Sequence, residues 1–294
     1  MRSVKSLIAA GAASLLSSMA FAADLPYPPV YAPPVEDFGG WYLRGDIGFS
    51  NQRVNNIRNT NAALYANNLT FNETTAFDTG GTFQVGVGYQ FNSWFRGDIT
   101  GQYRGSANFK GTDLFTFPLP TPNGVQTFNG IDNYSASKSE LLFLANAYVD
   151  LGTWWGVTPF IGAGVGTSRV SISNFTDTGA NNKNFNFLGA GPFPSGPPVA
   201  SFVTALSGSQ WNFAWALHTG LAYKVTPNMT VELAYSYLNL GNGVTGADSH
   251  FDGSLPNGHV FRFNDITSHD LKLGVRWELE APAVYAPPPL IRKG

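Results

Sequence analysis

The chain has 294 residues, of which 12% are charged and 14% aromatic, with 33 Gly and no Cys. The lack of cysteine excludes disulfide staples, zinc–thiolate sites and a cysteine nucleophile, and a net charge of -2 gives no electrostatic reason to expect nucleic acid as a partner. After the N-terminus no apolar run approaches the roughly 20 residues of a membrane-crossing helix, and the low charge with abundant Gly, Phe and Asn points to β structure.

Residues 1–22 read as a secretory signal. Arg2 and Lys5 supply the basic start, residues 7–19 a short apolar stretch, and Ala20-Phe21-Ala22 the small-x-small cleavage site. The mature chain then begins Ala23-Asp24. Residues 23–36 form a Pro-rich, extended segment, echoed by residues 280–294. Both contain VYAPP, at 30–34 and 284–288, and neither suits a helix or a sheet interior.

Between these tails lie eight segments with apolar residues at every second position, the period of a two-faced strand. They cover 41–50, 82–91, 94–105, 140–151, 158–170, 210–225, 229–240 and 270–279. The last, DLKLGVRWEL, places Leu271, Leu273, Val275, Trp277 and Leu279 opposite Asp270, Lys272, Gly274, Arg276 and Glu278. The fourth alternates less cleanly, because Leu142 and Leu144 share a face with Asn146 and Asp150. The GAGVG run at 162–166 sits within a strand, where its glycines leave room for bulky neighbours.

The connections alternate in length. Spans 51–81, 106–137, 171–209 and 241–265 are long; 92–93, 152–157 and 226–228 are short. An even number of antiparallel strands with this rhythm places the long loops at one end, with the short turns and both termini at the other.

The apolar face is expected to meet lipid. The opposite face carries mixed charges suited to mutual neutralisation in a narrow lumen: Arg44, Asp46, Arg96, Asp98, Glu140, Asp150, Glu232, Lys272, Arg276 and Glu278. Trp and Tyr gather at segment ends, where interfacial girdles lie. The predicted architecture is an all-β, eight-stranded antiparallel up-and-down transmembrane barrel spanning 37–279. The long loops are rich in Phe, including Phe109, Phe115, Phe117, Phe185, Phe187 and Phe193, read as exposed aromatics packing on one another or dipping into lipopolysaccharide.

Residues 37–279 resemble the small eight-stranded outer-membrane barrels of alphaproteobacteria, the outer-membrane immunogenic or porin-like proteins. The stretches that carry this are GGWYLRGDIGFS, GYQFNSWFRGDITGQY, LANAYVDLG, PFIGAGVG, FAWALHTGLAYKVTPNMTVELAYSYLNLG and DLKLGVRWEL. The resemblance implies a Gram-negative outer-membrane location among lipid and lipopolysaccharide. It also implies recognition of Lys272, Gly274, Trp277 and Leu279 by the barrel-assembly machinery, although here the pattern is followed by 280–294 rather than ending the chain. In some relatives the mature N-terminal Ala-Asp is joined to peptidoglycan, and Ala23-Asp24 matches that position. A structural envelope role follows as the expectation, with a small-solute channel or a loop-borne adhesin as alternatives.

Neither an enzyme nor a cofactor is expected. His218 falls on the polar face of the sixth segment, and His250 and His259 lack metal-motif spacing. Ser268 and His269 are adjacent in a strand and so point to opposite faces, which makes them a poor catalytic dyad.

Overall fold

The computed structural model describes residues 39–61, 70–121, 124–181, 199–251 and 258–279. The signal segment, both Pro-rich tails with Ala23 and Asp24, and Phe185, Phe187 and Phe193 lie outside them.

Eight long strands make the wall: β1 (Gly40–Arg53), β4 (Gly80–Gln90), β5 (Phe95–Thr121), β6 (Gly124–Asp150), β7 (Val157–Asn181), β9 (Gly208–Thr226), β10 (Met229–Val244) and β12 (Phe261–Glu278). Four short strands, β2 (Asn56–Asn59), β3 (Thr70–Phe77), β8 (Val199–Ala205) and β11 (Asp248–His250), attach to them. Every pairing is antiparallel, and the ladder runs β1–β4–β5–β6–β7–β9–β10–β12 and back to β1. Closure follows, and it leaves no free edge in the wall, as a lipid environment demands of every backbone N–H and C=O. The short turns are held by side-chain caps. Asn92 Oδ1 accepts from the backbone N of Phe95 at 2.8 Å, and Thr226 Oγ1 accepts from that of Met229 at 3.0 Å.

All eight expected strands are present, but the long connections are not simple loops. β5 and β6 each run 27 residues, whereas a tilted strand needs only about 9–11 to cross the membrane. The excess continues past the lipid-facing band as an extension, to which β2, β3, β8 and β11 add.

Where this extension begins, the side-chain pattern reverses phase. Four strands take one extra residue: β5 between Arg104 and Ala107, β7 beside Asn174, β10 near Gly241 and β12 near Asp265. Each insertion flips every later side chain to the other face. On β5 the outward row Ile99 and Tyr103 gives way to inward Ala107 and Phe109. On β12 the outward row Leu271, Leu273 and Val275 corresponds to inward Phe261 and Phe263 above the bulge. Apolar residues thus face lipid in the membrane and face inward above it, where the outside is water.

The bulge residues Asn174, Gly241 and Asp265 have φ of 53°, 77° and 54°, a region that Gly, Asn and Asp tolerate best. Phe109, read from sequence as an exposed loop aromatic, is instead fully buried. Phe115 is half-buried.

Asp265→Val should destabilise the folded barrel by about 1–2 kcal/mol, because a β-branched residue is strained at positive φ. Asp265→Gly should cost less, and urea unfolding in detergent micelles checks the ranking.

Candidate functional site

The barrel interior holds two stacked environments, an ionic lumen and an apolar plug. The ionic part contains six cations (Arg44, Arg96, Arg104, Lys138, Lys272, Arg276) and six carboxylates (Asp46, Asp98, Glu140, Asp150, Glu232, Asp270), all buried. This balance lets charge enter a dry interior, since each ion needs an opposite partner to offset its lost hydration.

Arg44 lies at one centre. It donates to Asp46 at 2.7 Å and Asp98 at 2.9 Å, and lies 3.3 Å from Glu232. Arg96 pairs with Asp150 at 3.2 Å and Glu232 at 3.3 Å. Its guanidinium carbon also sits 4.3 Å from the Tyr148 ring centre and 4.8 Å from that of Phe160. A second centre forms around Arg104, which donates to Glu140 at 2.8 Å, Asp270 at 2.5 Å and Ser268 at 2.6 Å. Lys138 joins it through Glu140 and Gln52.

The glycines of β7 admit these groups. A Cβ on Gly162 would run into the Tyr148 ring, and one on Gly164 into Asn146 Oδ1. Gly274 similarly accommodates Asp46.

Leu142, Leu144, Val170, Leu238 and Leu240 line the apolar side of the lumen, and Phe109, Phe175, Phe261 and Phe263 continue it into the extension as one cluster. Leu142 and Leu144, which blurred the alternation of their segment, therefore belong inside. Each fully buried Phe of this kind contributes about 2–3 kcal/mol.

Nine of the ten lumen charges named from sequence are in the ionic network. Glu278 is the exception: it lies at the turn end, half-buried, 3.4 Å from the exposed Lys224. The strand has left the packed interior there, so its ion pair is solvated. Sequence reasoning missed Arg104, Lys138 and Asp270 as members. Arg104 and Asp270 sit in phase with the other lumen charges of their segments; Lys138 lies two residues ahead of the 140–151 segment, on the part of β6 that precedes it.

His218 is buried, with Nδ1 2.8 Å from Ser236 Oγ and Nε2 3.2 Å from Asn146 Oδ1. Ser268 faces Arg104 and Asp270 inside, while His269 faces outward to the Tyr235 hydroxyl at 2.6 Å, so the two occupy opposite sides of the wall. Of the terminal pattern, Lys272 and Gly274 face inward and Trp277 and Leu279 outward.

Residues 8–278 match the family model described as "Outer membrane protein beta-barrel domain". The chain belongs to this family. Among curated proteins, the chain is similar to an uncharacterized protein of Brucella suis, 30% identical over 282 residues that cover 89% of this chain and 93% of the relative. Outer membrane protein PagN of Salmonella typhimurium is 29% identical, over 81% of this chain and 89% of its own. A putative adhesin of Rickettsia bellii is 27% identical, over 93% and 98%. Among solved structures, OprG from Pseudomonas aeruginosa superposes with a TM-score of 0.42 at 11% identity, covering 83% of this chain and 97% of that one. With the family and the lipid-facing band established, this outer-membrane β-barrel sits in the lipid and lipopolysaccharide of a Gram-negative bacterium.

Arg104→Met leaves Glu140 and Asp270 with less compensation and should destabilise the barrel by about 3–5 kcal/mol. Arg53→Met, at an exposed position on β1, should change stability by less than about 0.5 kcal/mol. Equilibrium urea unfolding in lipid vesicles distinguishes the two.

Proposed function

We propose that this protein is a structural component of the outer membrane: a filled, non-conducting barrel that carries a rigid β extension and is tethered to peptidoglycan through its mature N-terminus. The filled interior is the observation that carries the reading. Six cations and six carboxylates occupy the lumen, and the apolar cluster around Phe109, Phe175, Phe261 and Phe263 closes it above. Eight strands already give an interior only wide enough for side chains, and opening a path would mean separating buried ion pairs.

The tether rests on the likeness of Ala23-Asp24 to the attachment site of some relatives. The Pro-stiffened stretch that follows would reach tens of ångströms at roughly 3 Å per residue. Assembly of the barrel is attributed to recognition of Lys272, Gly274, Trp277 and Leu279 by the assembly machinery.

A second reading, surface contact through the extension, is favoured by outward apolar side chains there. Leu114, Phe202 and Phe251 are exposed, and the last two rings lie 5.4 Å apart. A relative named a putative adhesin is consistent with it. Phe202→Ser with Phe251→Ser should then abolish surface binding while leaving the barrel assembled.

In planar bilayers the purified protein should show no stable conductance. A steady current enlarged by Arg96→Ala and Asp98→Ala would favour a small-solute channel instead. Mass spectrometry of muramidase-digested sacculi should find a muropeptide on Ala23, and a free amine on every recovered N-terminal peptide would remove the tether.

A further inference from the structure

The ionic lumen is neutral by composition, but the inward face of the extension is not. Asp113 on β5 and Asp132 on β6 are direct cross-strand partners. Asp177 on β7 is opposite Tyr134, two residues along β6 from Asp132. On a shared face, direct partners hold their Cβ atoms about 5 Å apart and diagonal neighbours about 7–8 Å. The Asp132 side chain lies over Gly179, where a Cβ would meet its Oδ1.

Asp113 and Asp177 are 2% and 7% exposed, and Oδ1 of each is buried without a hydrogen-bond partner. The Tyr134 hydroxyl donates to the other oxygen of Asp113 at 3.1 Å. Like charges in direct cross-strand register are destabilising, and an unpaired buried carboxylate is costly.

The surrounding elements supply little compensation. β2 brings Arg58, which is paired at 3.0 Å with Glu73 of β3, and Glu73 adds negative charge. β8 carries no titratable group. On β11, His250 lies 3.2 Å from Asp248, and Arg262 of β12 is exposed on the outer face.

We propose that Asp113, Asp132 and Asp177 form a proton-operated latch in the extension. With protons shared among them, the carboxyls bond to one another and hold β5, β6 and β7 together beside the buried Phe175 and Phe261. Ionised, they repel and loosen those strand ends. The ligand is the solvent proton, so surface pH sets how tightly the extension closes.

Burial, followed by the negative charge of Glu73, pushes the Asp113 carboxyl up to about 6. Burial and the neighbouring carboxylates raise Asp132 and Asp177 as well. A carboxyl whose pKa is higher closed than open binds more protons when closed. The closed form is therefore favoured at low pH and weakened as pH rises from about 4 through the raised values.

The test uses the whole protein folded in detergent micelles, without added divalent ions. Hydrogen-exchange protection factors, corrected for intrinsic rates, should fall about threefold or more in the upper parts of β5, β6 and β7 between roughly pH 5 and pH 9, with the membrane band unchanged. Asp132→Asn with Asp177→Asn should flatten that dependence and keep the region protected at alkaline pH. Infrared spectra of the unmodified protein should retain a protonated carboxyl band near pH 6, so a folding failure of the variant would not remove the test. Full ionisation at that pH, an equal pH response in the variant, or loosening by a chelator at fixed pH would overturn the proposal.

Discussion

The structure depends on where the apolar side of each strand finds a dry surface. In the membrane that surface is lipid, so apolar rows point outward and the inside must accept whatever alternates with them. Those residues are polar and charged, and an interior this narrow cannot hydrate them. The balanced lumen, with Arg44 and Arg104 each touching several carboxylates, follows from that constraint. The glycines of β7 follow from it too, because long ionic and aromatic side chains need facing positions with no side chain.

Above the membrane the constraint changes sign. Water lies outside, and the same wall must turn its apolar rows inward. The chain does this by inserting one residue into each of four strands, with Asn174, Gly241 and Asp265 taking the positive φ that such insertions require. The wall therefore changes from a membrane barrel, apolar outside, to a water-facing one, apolar inside, with its strands resuming antiparallel pairing beyond each register shift.

The seam of the extension illustrates how closely backbone groups are accounted for. β3 pairs with β5 on one side, and on the other Glu73 bridges to β2, accepting from the Ile57 backbone N at 2.7 Å and from Arg58. A side chain substitutes for a missing strand pair. On the opposite side Asp248 does similar work, accepting from Asn59 and from the backbone N of Gly258 and His259.

The period-two rows of Leu271, Leu273, Val275 and Trp277 and their counterparts determined by themselves the number of wall strands, while the mixed charges opposite them and the Trp and Tyr at segment ends indicated which face meets lipid. Alternation is a local property of neighbouring residues, and the long and short connections fixed which end each joined. Nine lumen charges were legible because they sit in phase with those rows. The extension was not legible, because a single inserted residue reverses the phase and makes a continuing strand look like the start of a loop. Phe109 and Asp113 on β5 and Asp177 on β7 lie beyond such insertions and were invisible for that reason, whereas Lys138 and Asp132 lie on β6, which takes no insertion but runs on past its recognisable segment. Tertiary structure alone decided them, since only the register between β5, β6 and β7 determines which distant side chains share the dry interior.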